Sequence, residues 1–182
     1  NFWNYVNTDS RRQVSFDTFL GGGSSEFGPH FFDINPGVTY RPISSLSVRG
    51  GMRFNLFDHD AQWVTNAEVA GAPTHYVFAR LDQQTVALTT RVNYTMSPTL
   101  SLQIYAEPFV SAGAYTGYKE LVDGRAEDWQ SRYAPYDYRG NADFNYRSFR
   151  TTNVLRWEYR PGSSLFVVWQ QGREDVVDQG LF

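Results

Sequence analysis

The chain has 182 residues, a net charge of −3, 41% hydrophobic and 17% aromatic residues, and no cysteine. With a mean hydropathy of −0.47 it is too polar for a helical membrane protein, and its longest clean apolar run, Leu165-Phe166-Val167-Val168-Trp169, is far shorter than the roughly 18 residues of a spanning helix. The missing cysteine excludes disulfides, thiolate metal sites and a thiol nucleophile, and the mild acidity leaves no nucleic-acid footprint.

Taken in chain order, the elements read as strands. Eight are expected, over residues 1–7, 11–22, 31–41, 45–69, 75–96, 99–112, 147–160 and 163–173. Strict alternation is the signal, because successive side chains of a strand point to opposite faces. Phe32, Ile34, Pro36, Val38 and Tyr40 alternate with Asp33, Asn35, Gly37, Thr39 and Arg41. Leu46, Val48, Met52, Phe54 and Leu56 alternate with Ser45, Ser47, Arg49, Arg53 and Asn55. The phase changes at Asp58-His59-Asp60, which predicts a bulge. Val86, Leu88, Val92 and Tyr94 continue the apolar side, followed by Leu100, Leu102, Ile104 and Val110, and then by Phe149, Leu155, Trp157 and Tyr159.

The turns at residues 40–46, 94–100 and 159–165 share a weak repeat: Tyr, a tight Pro-containing turn, a hydroxyl residue, then Leu. Proline has no N–H to give a ladder and belongs in such turns. The opposite connections, at 21–29, 70–73 and 113–144, are longer and irregular. Short turns at one end and long loops at the other are the pattern of an up-and-down transmembrane β-barrel.

The expected fold is therefore all-β and antiparallel, a segment of about eight strands from a larger barrel, cut at both ends, with 113–144 as an external loop. Tyr40, Tyr94, Tyr159 and Trp157 would sit where lipid meets water. The charged positions Asp33, Arg49, Arg53, Arg91, Glu107, Arg150 and Arg156 would line the lumen, with Asp17 on the same side. Lys119 is the sole lysine, and arginine suits geometrically fixed bridges across a wet interior.

Four stretches resemble a bacterial family. They are Tyr76-Val77-Phe78-Ala79-Arg80-Leu81-Asp82-Gln83, the run from Thr99 through Gly113, Asp143-Phe144-Asn145-Tyr146-Arg147-Ser148, and Val154-Leu155-Arg156-Trp157-Glu158-Tyr159-Arg160-Pro161-Gly162-Ser163. The family they resemble is domain of unknown function 5916, whose barrel-like region follows a domain similar to a family-9 carbohydrate-binding module. The resemblance implies a bacterial outer-membrane location and a link to carbohydrate, with the N-terminal domain of the same protein as a partner. It supplies no catalytic residues.

Nothing else in the sequence reads as an active site. His30, His59 and His75 match no metal-ligand spacing, and no metal or cofactor is expected. Glu127-Asp128 and Glu174-Asp175 are adjacent in sequence, whereas glycosidase carboxylates face each other across a substrate. Tyr115, Tyr118, Trp129, Tyr133 and Tyr136 lie among charges in the long loop and are the candidate ligand contacts, since aromatic faces stack on sugar rings. Three functions follow as expectations. The first is a barrel in the lipid bilayer that conducts or imports a solute, with oligosaccharide as the candidate. The second is a non-conducting anchor for the N-terminal domain, and the third a soluble carbohydrate-active β-sandwich.

Overall fold

The structure, a computed structural model, describes residues 1–180 apart from 27, 69 and 72. Residue 69, expected at the end of the fourth strand, residues 27 and 72 of the expected long connections, and the chain end at 181–182 lie outside the described residues. The chain forms one antiparallel sheet of nine strands. They are β1 (Phe2–Asn7), β2 (Val14–Gly23), β3 (His30–Ile43), β4 (Leu46–Ala67), β5 (His75–Ser97), β6 (Leu100–Leu121), β7 (Tyr133–Pro135), β8 (Phe144–Arg160) and β9 (Ser163–Val177). Eight follow one another in chain order across the sheet, and the three-residue β7 pairs with the end of β6.

The all-β, up-and-down antiparallel expectation holds. The sheet is open, with β1 and β9 at its edges and no pairing between them, so it does not form a closed barrel. No second sheet packs on it among the described residues. No described helix is long and apolar enough to cross a membrane, a statement that does not concern strands.

β6 runs to Leu121, so residues 113–121 of the expected loop are strand, held against β5 by pairs such as Leu81↔Tyr115 and Phe78↔Lys119. The connection proper is 122–143, with β7 and a single 3-10 turn at Gln130–Arg132 inside it. β9 likewise continues past Arg173 to Val177. The short connections are two residues long, and Gly162 takes φ +76° in the last, a conformation that glycine adopts without steric penalty. Register shifts fall between Tyr40 and Ile43, Thr95 and Ser97, and Glu158 and Arg160, beside each of the repeated tyrosines. The bulge expected at Asp58-His59-Asp60 is present between His59 and Gln62.

Register assigns the side chains to two faces. Residues directly opposite share a face, so the chain Asp17↔Gly37↔Gly51↔Thr89, with Glu107↔Arg150 in phase, marks a polar face. Leu20↔Ile34↔Phe54↔Val86↔Val110 marks the apolar one. Ser15, Thr39, Thr85 and Ser111 are buried on the polar face, while Val38, Met52, Leu56, Leu88, Val167 and Trp169 are exposed on the apolar face.

The buried apolar residues Val77, Ala79 and Leu81 lie on the polar face at the long-loop end of β5. There the Phe144 ring lies over Gly113 and beside Leu81. At that end Asn141 Nδ2 donates to the Asp178 carbonyl at 2.9 Å, and Gly180 lies against Ala114, which is on the other face. Ala112 and Asn145 are buried at the same level of that face.

Candidate functional site

Two places gather the residues that the sequence singled out. The first is the polar face. Cross-strand register brings Asp33, Arg49, Arg53, Arg91, Glu107, Arg150 and Arg156 together on it, although they come from five strands.

Most of these charges are paired within the face. Arg49 Nη1 donates to Asp17 Oδ1 at 2.5 Å and Nη2 to Asp17 Oδ2 at 2.7 Å, a two-pronged bridge from β4 to β2. The bridge crosses β3 above Gly37, where an added Cβ would stand 2.5 Å from Arg49 Nη2 and 3.0 Å from Asp17 Oδ2. Glycine thus leaves the space in which the guanidinium lies. Arg49 Nη1 also donates to the Thr39 hydroxyl at 3.2 Å. Arg53 stands 3.8 Å from Asp33, whose Oδ1 is buried and accepts no hydrogen bond. Arg91 lies opposite Arg49 in register and over the Tyr105 ring, 5.0 Å from its centroid. Glu107 accepts the Tyr105 hydroxyl. Arg150 reaches Glu174 at 3.1 Å, and Arg156 reaches Glu158 at 3.1 Å.

Gly37→Val should cost about 1 kcal/mol of stability or less, because the Arg49–Asp17 pair is partly solvated. In an Arg49→Ala background it should cost almost nothing more, since the bridge is already gone. Denaturant unfolding of the four variants of this cycle checks both statements, and equal losses in the two backgrounds would mean that Gly37 acts in some other way.

The sequence reading left out two members of this face. Tyr105 is an aromatic in phase with Gln103 and Glu107, so alternation alone was sufficient to place it. Glu174 enters only through the register of β8 on β9, since it lies in what reads as a charged chain end.

The second place is the long-loop end. Tyr118 and Tyr133 lie on β6 and β7, and with Trp129, Asp60 and Lys119 they line a pocket of about 400 Å³. Lys119 Nζ donates to Asp60 Oδ2 at 2.7 Å, and Trp129 hydrogen bonds the same carboxylate. The rings are engaged with one another. Trp129 meets Tyr133 edge-on at 5.4 Å, Phe78 meets Tyr133 at 5.5 Å, Lys119 Nζ lies 4.9 Å over Tyr133, and Arg132 lies 5.3 Å over Trp129. Burial pushes the Tyr133 phenol above its ordinary range. Tyr136 packs against His75, which bonds Glu120. Tyr115 stands apart on the polar face, its N–H donating to Asp143 at 2.7 Å. In the loop itself, Asp128 accepts the Ser131 hydroxyl at 2.7 Å and its N–H at 2.8 Å, which holds the carboxyl below the usual range. The five aromatic candidates therefore do not form one open platform.

His59 meets Gln62, and among the described residues no three histidines or carboxylates assemble as a metal centre.

A family model described as a domain of unknown function, DUF5916, matches residues 1–180. No curated protein and no solved structure matches the chain.

Proposed function

The chain belongs to the DUF5916 family, and on that premise we propose that it is part of the wall of a bacterial outer-membrane β-barrel that conducts or imports a solute, with oligosaccharide as the candidate. The observation that carries this reading is the extent of the apolar face. It is free of charge from Phe32 to Tyr40 on β3, from Leu46 to Leu56 on β4 and from Val86 to Tyr94 on β5. A tilted strand needs roughly 9–11 residues to cross hydrocarbon, and these lengths fit. At the long-loop end the belt meets Asp58 and Asp82, directly opposite each other and bridged by Arg80 at 3.3 and 3.2 Å. At the short-turn end it meets Tyr40, Tyr94, Trp157 and Tyr159, all exposed, which suits a boundary between lipid and water.

The bilayer is the partner that such a face requires, because water-soluble proteins rarely expose a contiguous apolar surface of this extent. The polar face, with its ion pairs and buried hydroxyls, is suited to a wet interior. A second reading, a non-conducting anchor with a filled lumen, is favoured by one observation: Val154, Phe166 and Val168 put apolar side chains on the polar face near β9, where a plug could pack.

Planar-bilayer recording of the full-length protein, with and without added oligosaccharide, separates these. Ohmic steps that oligosaccharide blocks are the expected result. Insertion without conductance would leave the anchor, and failure to insert would remove the membrane reading.

A further inference from the structure

The polar face holds a cavity of about 350 Å³ beside Gly51, lined by Arg49, Arg53, Arg91, Asn35 and Thr89 with no carboxylate among its lining residues. Register explains the convergence. Arg49 and Arg91 are directly opposite, Gly51 faces Thr89, and Arg53 is next along that face of β4. Gly51 leaves the floor open: an added Cβ would meet only the Pro36 carbonyl oxygen, at 3.7 Å.

The three guanidinium groups are unequally committed. Arg49 is held by Asp17. Arg53 is 3.8 Å from Asp33, beyond hydrogen-bonding distance, and its side chain is 63% exposed. Arg91 makes no ion pair among the described residues and rests on Tyr105. Two arginines directly opposite each other repel, and an anion between them would relieve that cost. Asn35 Oδ1 is buried with no donor, and a buried acceptor left unpaired costs free energy that a hydroxyl would recover.

We propose that this cavity binds an oxyanion that also carries a hydroxyl group, either a hydrogen phosphate or the carboxylate of a hydroxy acid. Arg91 and Arg53 donate to its charged oxygens, since the guanidinium fork matches both chemistries, and Asn35 accepts the hydroxyl. That the site lies on a solute path rests on the barrel reading above; the binding itself does not.

Calorimetric titration of the full-length protein in detergent micelles tests it, with inorganic phosphate in one arm and glucuronate in the other, at low ionic strength. At least one anion should bind, and the tighter of the two identifies the source of the charge. Arg91→Gln and Arg53→Gln should each weaken binding about ten-fold, the order expected for one charge-assisted pair. Arg139→Gln should not change it, because that side chain lies in an exposed loop pair with Asp137. Absence of binding to either anion, or unchanged affinity in Arg91→Gln, would overturn the proposal. A protein that binds the anion without passing current keeps the site and loses the pore, and one that conducts without binding loses the site alone.

Discussion

Leu88→Arg should lower the unfolding free energy of the full-length protein in lipid by about 2–4 kcal/mol, the cost of placing arginine near the middle of a lipid-facing strand. Leu88 pairs with Met52 on the apolar face and is 46% exposed. In a chain whose apolar face met water, an exposed leucine could become arginine within about 0.5 kcal/mol. The same substitution at Gln103, exposed on the polar face opposite Asn93, should be tolerated in either case. Denaturant unfolding in vesicles compares the two variants. Equal, small effects at both positions would contradict the membrane reading, and a loss confined to Leu88→Arg would support it.

Gly113→Val is expected to be the most disruptive change at the long-loop end, costing about 1–3 kcal/mol as an overpacked site. Its Cβ would stand 2.4 Å from the Phe144 ring and 2.9 Å from the Leu81 side chain. β6 cannot easily retreat, because Gly113 is paired with Gln83 on one side and Phe144 on the other. Phe144→Ala alone should also destabilise, yet it should reduce the cost of Gly113→Val by clearing the ring. Thermal unfolding of the single and double variants measures this coupling. Strict additivity would mean that the ring and the glycine do not share the space.

The elements legible in the sequence were those whose physics is local. Alternation marked the strands because one face of each is apolar over many residues, and the phase change at Asp58-His59-Asp60 revealed a bulge without any knowledge of the partner strand. The end of β6 was not legible. Gly113, Ala114 and Gly117 have weak strand preference and read as a loop, and they are strand because β5, joined at Gly113 by β8, supplies the hydrogen-bond ladder. The charges of the polar face could be assigned to one side, but not to their partners. The Arg49–Asp17 bridge spans 32 residues and passes over an intervening strand, so it depends on two registers and on a glycine between them. The anion cavity is hidden from sequence for the same reason: Arg91 is 38 residues from Arg53 in the chain, and only the pairing of β4 with β5 makes them neighbours.

The sequential order of the long strands has a consequence for how such a chain can change size. Every tight connection lies at one end, so a strand, its two-residue turn and the next strand form a unit that can be duplicated or deleted whole. The remaining strands keep their direction, their phase and their neighbours' ladders. Loss of a single strand would instead leave two parallel strands side by side, joined by a connection too short to cross back. Relatives of this chain should therefore differ in length by whole hairpins, and the sheet they build should widen two strands at a time.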